Sequence, residues 1–157
     1  MTNAASADAP AAARRLSFAG ANDVVLAADA YGDPAAPPVI LIHGGGQTRH
    51  AWGGTAASLA RAGFYAVSID QRGHGDSSWA GDGDYRLDRF VDDLMEVARN
   101  FSARPALVGA SLGGMAALIA AGERAPTGFA ALVLVDIAPR IERAGNDRIL
   151  AFMRGNL

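Results

Sequence analysis

Ser111 stands inside Gly109-Ala110-Ser111-Leu112-Gly113-Gly114, a G-x-S-x-G spacing. A short apolar run, Pro105 to Val108, precedes it, and an alanine-rich run, Met115 to Ala121, follows. The order is strand, sharp turn, helix, with a hydroxyl on the turn. Such a turn is strained, and side chains two residues either side of the serine would collide there; Gly109 and Gly113 remove them. The helix N-terminus beneath the hydroxyl favours negative charge. The chemistry this suits is acyl transfer, which needs a nucleophile, a base, an orienting acid and donors for an oxyanion. Ser111 is the candidate nucleophile. The N–H of Leu112 is one candidate oxyanion donor. The second is expected from His43-Gly44-Gly45-Gly46, where glycines let backbone N–H groups approach a ligand; Gly45 is the choice within that loop, with Gly44 beside it.

The elements that must position these residues alternate along the chain. Arg15 to Phe18 and Val24 to Tyr31 form a hairpin around the turn cluster Gly20, Asn22 and Asp23. Val39 to Ile42 is a continuous apolar run, the pattern of a strand buried on both faces. A helix is expected from about Gly54 to Ala62, stopped by Gly63, then a strand from Tyr65 to Ile69. An amphipathic helix follows from about Arg86 to Phe101. Its apolar stripe is Leu87, Phe90, Val91, Leu94, Val97, Ala98 and Phe101, with Asp88, Asp92, Asp93 and Glu96 on the other face. Phe129 to Val135 reads as one more buried strand. This alternation predicts an α/β domain with a mainly parallel, three-layer sheet. Ligands in such sheets bind at the carboxyl ends of the strands. The loops holding His43, Asp70 to Ser77, Ser111 and Asp136 all fall there.

Composition bounds the rest. The chain has 157 residues, half of them hydrophobic and 19% charged, as in a globular domain. A net charge of −2 gives no electrostatic footprint for nucleic acid or an anionic membrane. There is no cysteine, hence no disulfide or thiol chemistry, which leans toward a cytoplasmic home. Arg14-Arg15 invites a twin-arginine export reading, but no apolar stretch follows. His43, His50 and His74 lack metal-ligand spacing, and the glycines fit neither a phosphate loop nor a dinucleotide fingerprint, so no metal or cofactor is expected.

Three blocks, in this order, resemble the α/β-hydrolase family. They are His43-Gly44-Gly45-Gly46-Gln47-Thr48-Arg49-His50-Ala51-Trp52, Asp70-Gln71-Arg72-Gly73-His74-Gly75-Asp76-Ser77 and Gly109-Ala110-Ser111-Leu112-Gly113-Gly114. The nearest likeness is to its small esterases and peroxidase-like hydrolases. With Val135-Asp136-Ile137-Ala138-Pro139 it covers roughly residues 15 to 157. The resemblance implies a serine hydrolase acting on a small acyl substrate (ester, thioester, lactone or amide) without metal or organic cofactor. A serine at the turn argues against the carboxylate-nucleophile chemistry of haloalkane dehalogenases and epoxide hydrolases. The resemblance also makes Asp70 a loop-bracing residue paired with Arg72, and gives His43, His50 and His74 structural roles. Asp136, twenty-five positions after Ser111, is either the triad acid or a capping aspartate.

The family's triad order is Ser, then acid, then His. All three histidines here precede Ser111, so no base follows the nucleophile. The apolar strand Phe129 to Val135 would also be left as an open hydrophobic edge. The expectation is therefore the N-terminal part of a longer enzyme: a disordered tail over 1–14, the partial hydrolase domain over 15–139, and the start of a lid over 140–157, with later strands and most of the lid missing. The alternatives are a chain that dimerises through the open edge, and a non-catalytic binding module that keeps the fold without the triad histidine.

Overall fold

The structure, a computed structural model, describes residues 13–137. Among the described residues six strands and three α-helices follow one another: β1 (Arg14–Ala19), β2 (Val25–Tyr31), β3 (Pro38–Ile42), α1 (Gly53–Arg61), β4 (Tyr65–Ile69), α2 (Leu87–Ala98), β5 (Ala106–Ala110), α3 (Ser111–Ile119) and β6 (Ala131–Val135), with a 3-10 turn over Arg49–Trp52 and a π-helical turn over Ala120–Arg124. The expected tail over 1–14 and the expected lid over 140–157 lie outside the described residues, apart from Ala13 and Arg14. Arg14 belongs to β1, paired with Ala30, so the first strand starts one residue earlier than expected.

β1 and β2 form the expected hairpin. Its turn is closed by Val24 N–H to Ala21 C=O at 3.4 Å, and Asn22 and Asp23 both take left-handed backbone angles, φ +55° and +60°. Two successive positive φ values give the turn the same hand as the strand twist. The sheet order is β1-β2-β4-β3-β5-β6. β1 pairs with β2 and β2 with β4 in antiparallel fashion, while β4, β3, β5 and β6 are mutually parallel.

β3 explains the three layers. Val39 and Leu41 point to one face, into a cluster with Ala56 of α1, Ala66, Trp52 and Leu59. Ile40 and Ile42 point to the other, into a larger cluster with Phe90, Val91, Leu94 and Val97 of α2 and Ala116 and Ala117 of α3. The two-residue repeat of a strand sends successive side chains to opposite faces, so an unbroken apolar run fills both cores.

Phe129 to Val135 reads as an interior strand by composition, and as an open hydrophobic edge if no strand follows it. In the structure β6 is that edge among the described residues: Val133 is 48% and Val135 40% exposed. α1 packs over β4 and β2 and leaves that face of β6 uncovered, while Leu132 packs into the α2–α3 core. Asp93 was expected on the solvent face of its helix, but it is 3% exposed. It lies three residues after Phe90 and four before Val97, which puts it on the apolar stripe itself.

Candidate active site

The β5–α3 junction has the geometry that its glycines predict. Ser111 opens α3 directly, with φ +45°, a left-handed conformation uncommon for a residue with a side chain. A Cβ on Gly109 would lie 2.5 Å from the Gly113 carbonyl oxygen, and one on Gly113 would lie 2.6 Å from the His43 carbonyl oxygen. Both contacts are backbone and cannot yield, so only glycine fits. The turn carries Ser111 out to an exposed position while Gly113 and Gly114 stay buried behind it.

The loop after β3 abuts this turn. A Cβ on Gly44 would sit 3.4 Å from Ser111 Cβ, and one on Gly45 would sit 3.8 Å from Leu112 Cδ2. The sequence-predicted residues Gly44, Gly45, Ser111 and Leu112 are thus brought together at the carboxyl ends of two paired parallel strands. The loop is a tight turn closed by Gln47 N–H to Gly44 C=O at 3.2 Å, with Gly46 at φ +74°. Asp136 stands at the end of the next strand, exposed, with φ +51°. The residues that a capping carboxylate at this position would reach, from 138 on, lie outside the described ones.

None of the three histidines addresses Ser111. His43 is fully buried. Its Nε2 accepts from Gln71 N–H at 3.1 Å, which puts the proton on Nδ1, donating to Gly44 C=O at 2.7 Å. Burial pushes its pKa down from the ordinary value, so the ring is held neutral. His74 Nε2 accepts from Gly46 N–H at 3.2 Å, and Nδ1 then donates to Arg72 C=O at 2.9 Å. His50 is exposed and lies 3.7 Å from Asp29 Oδ2, beside β2.

Two buried ion-pair clusters hold these loops, and the sequence reading paired them wrongly. Asp70 does not pair with Arg72. It pairs with Arg49, through Arg49 Nη1 and through the Arg49 backbone N–H at 2.6 Å. Arg49 also reaches Asp76 at 2.9 Å, and its Nε lies 3.0 Å from Asp29 in an ion pair too bent to be a hydrogen bond. Burial opposes the charge of Arg49, but its bonds to Asp70 and Asp76 outweigh that and raise its pKa. Arg72 instead makes a two-pronged bond to Asp93, 2.6 and 2.7 Å, and donates to the Ala21 and Asp84 carbonyls. Asp93 accepts the Ala21 N–H as well, at 2.8 Å. This clips α2 to the hairpin turn. The helical spacing of Asp93 could have revealed the partner; nothing in the spacing of Arg49 marks it as buried. A cavity of about 240 Å³ between Leu16, Phe18, Tyr65 and Phe101 opens at the opposite end of the strands and is not part of this site.

The chain belongs to the α/β hydrolase fold family, which it matches over residues 37–155. It is 40% identical over 106 residues to an esterase of Mycobacterium tuberculosis, covering 67% of this chain and 34% of the esterase. It is 37% identical over 82 residues to epoxide hydrolase B of the same organism, covering 52% of this chain and 23% of that one. The crystal structure of an α/β hydrolase from Novosphingobium aromaticivorans superposes with a TM-score of 0.80 at 27% identity, covering 90% of this chain and 50% of the other. The chain therefore spans a quarter to a half of these relatives' length. No helix among the described residues is long and apolar enough to cross a membrane.

Proposed function

We propose that this chain carries the nucleophile of a serine hydrolase acting on an ester or related small acyl substrate, in the manner of a carboxylesterase. The observation that supports it best is Ser111 itself: a side-chain-bearing residue at φ +45° on a helix N-terminus, packed against a glycine loop. Strain of this kind costs about 1–3 kcal/mol and persists where it serves a site.

In this reading Ser111 Oγ attacks the acyl carbon as a base takes its proton. The N–H groups of Leu112 and Gly45 stabilise the tetrahedral oxyanion. The leaving group departs with the proton, and water then hydrolyses the acyl-enzyme. Asp136 orients the base. A hydroxyl nucleophile also separates this chemistry from epoxide opening. Attack of a serine on an epoxide carbon would give an ether, with no acyl carbon for water to attack.

The reading needs a general base, and His43, His50 and His74 are each engaged elsewhere. We assign the role to a histidine on further polypeptide, corresponding to the length of the relatives that this chain does not span. The chain is then a truncated part of a longer enzyme. The same histidine inventory favours a second reading, a non-catalytic binding module, for the 157 residues alone. Absence of cysteine supports a cytoplasmic location. The exposed side of β6 supports association through that edge, by a second copy or by further chain.

Hydrolysis of short-chain p-nitrophenyl esters by the 157-residue chain and by its Ser111→Ala variant separates the readings. Turnover lost in the variant excludes the binding module. Turnover that survives in the variant excludes Ser111 as nucleophile. Without a base only slow hydrolysis is expected, because loss of one triad member leaves the residual catalysis of oxyanion hole and binding.

A further inference from the structure

The loop from Gly44 to Gly46 presents three consecutive backbone N–H groups beside Ser111, and side chains consume the outer two. Gly44 N–H donates to Gln47 Oε1 at 3.0 Å. Gly46 N–H donates to His74 Nε2 at 3.2 Å. The Gly45 N–H between them has no acceptor among the described residues, and Gly45 is the glycine that faces Leu112. His74 arrives from the loop after β4, twenty-eight positions further along the chain. Its own orientation is fixed by the Nδ1–H bond to Arg72 C=O, and Arg72 is anchored to Asp93 on α2. The ring also lies against His43, centroids 5.0 Å apart, on the strand end from which the loop departs.

The geometry points to His74 as a positioning residue of the oxyanion loop. By accepting the Gly46 N–H, together with Gln47 on Gly44, it fixes the loop so that the Gly45 N–H alone faces the reacting group. A glycine-rich turn has no side chains of its own to hold it, and its backbone freedom must be removed by outside acceptors. Preorganisation of this kind is what makes an oxyanion donor effective, since a donor that must reorient during reaction loses most of its value. The ring nitrogen that a base would need is the one bound to Gly46, so the same contact excludes His74 as the base. This inference rests on Ser111 being the nucleophile.

The test measures the rate at which a fluorophosphonate labels Ser111 in the full chain, alongside amide exchange of Gly45 and Gly46 by NMR. His74→Ala is expected to slow labelling about tenfold, a fraction of the ~10²–10³ lost with a whole oxyanion donor. His74→Gln, which keeps an acceptor at similar reach, should recover most of the rate. Gly46 should be protected from exchange in the wild type and His74→Gln, and unprotected in His74→Ala. Equal labelling of wild type and His74→Ala, or a loss that His74→Gln does not restore, overturns the positioning role. No labelling of the wild type sinks the nucleophile assignment instead, and Gly46 exchange then decides whether His74 holds the loop. If His74→Ala fails to fold, Gln47→Ala, at an exposed side chain, makes the same test on Gly44 with the same expected slowing.

Discussion

Ser111 and Asp136 each stand one residue beyond a register pair, Ala110 opposite Val135, at the ends of adjacent parallel strands. Both hold left-handed backbone angles, φ +45° and +51°. Two neighbouring strands thus end in the same uncommon way, with a hydroxyl on one and a carboxylate on the other. In the proposed reading an imidazole bonds to both.

The strain at Ser111 makes a stability prediction. Glycine adopts a positive φ without the steric cost that a Cβ brings. Ser111→Gly should therefore raise unfolding free energy by about 1 kcal/mol while removing the nucleophile. Urea unfolding of the two proteins measures it, and an equal or lower stability of the variant would count against strain at this turn.

The turn glycines should respond very differently from others. Gly113→Ala drives a Cβ to within 2.6 Å of two backbone oxygens, those of His43 and Ile42, and is expected to cost about 3 kcal/mol or to prevent folding. A Cβ on Gly122 meets nothing within 4 Å, so Gly122→Ala should change stability by less than ~1 kcal/mol. Comparable losses from the two variants would contradict the close approach of turn and loop.

Arg72 and Asp93 are both buried and paired. Asp93→Leu alone leaves the guanidinium buried without its carboxylate and should destabilise by about 3–5 kcal/mol. Arg72→Met combined with Asp93→Leu should be less destabilised than Asp93→Leu alone, as apolar replacement of both partners is often close to neutral. Denaturant melts of the single and double variants give the coupling, and additive losses would show that the pair does not act as a unit.

Burial depresses the pKa of His43, so the unfolded chain takes up its proton first as pH falls. Below the unfolded value, about 6.5, the unfolded state binds more protons and stability decreases toward acid. Unfolding free energy should fall between pH 7 and pH 5, by at most ~1.4 kcal/mol per pH unit from this one group. His43→Asn should lose that dependence. Asp76, whose pKa is lowered by its bond to Arg49, acts only near and below the ordinary carboxylate range, a separate window. A flat profile between pH 5 and 7 in the wild type would contradict a neutral buried His43.

Much of this molecule was legible in its residues. The unbroken apolar run of β3 announced burial on two faces, and the spacing of Gly109, Ser111 and Gly113 announced the strained turn. The composition of β6 is that of an interior strand, and its exposure as an edge among the described residues follows from neighbours that its own residues do not specify. The partners of Asp70 and Arg72 were misassigned because proximity in sequence favoured pairing them with each other. Their guanidinium and carboxylate partners come from a 3-10 turn after β3 and from α2, contacts that only the folded chain creates. His74 and Gln47 gave no sequence signal of holding the loop, since neither spacing nor periodicity encodes a side chain that accepts from a distant glycine.

The most direct test of the account is the site of covalent modification. Prolonged incubation of the 157-residue chain with a fluorophosphonate, followed by peptide mass spectrometry, should find the adduct on Ser111, ahead of every other serine. Ser111→Ala should leave the protein unmodified under the same conditions. An adduct on another residue, or equal modification of the Ser111→Ala variant, would contradict Ser111 as the nucleophile.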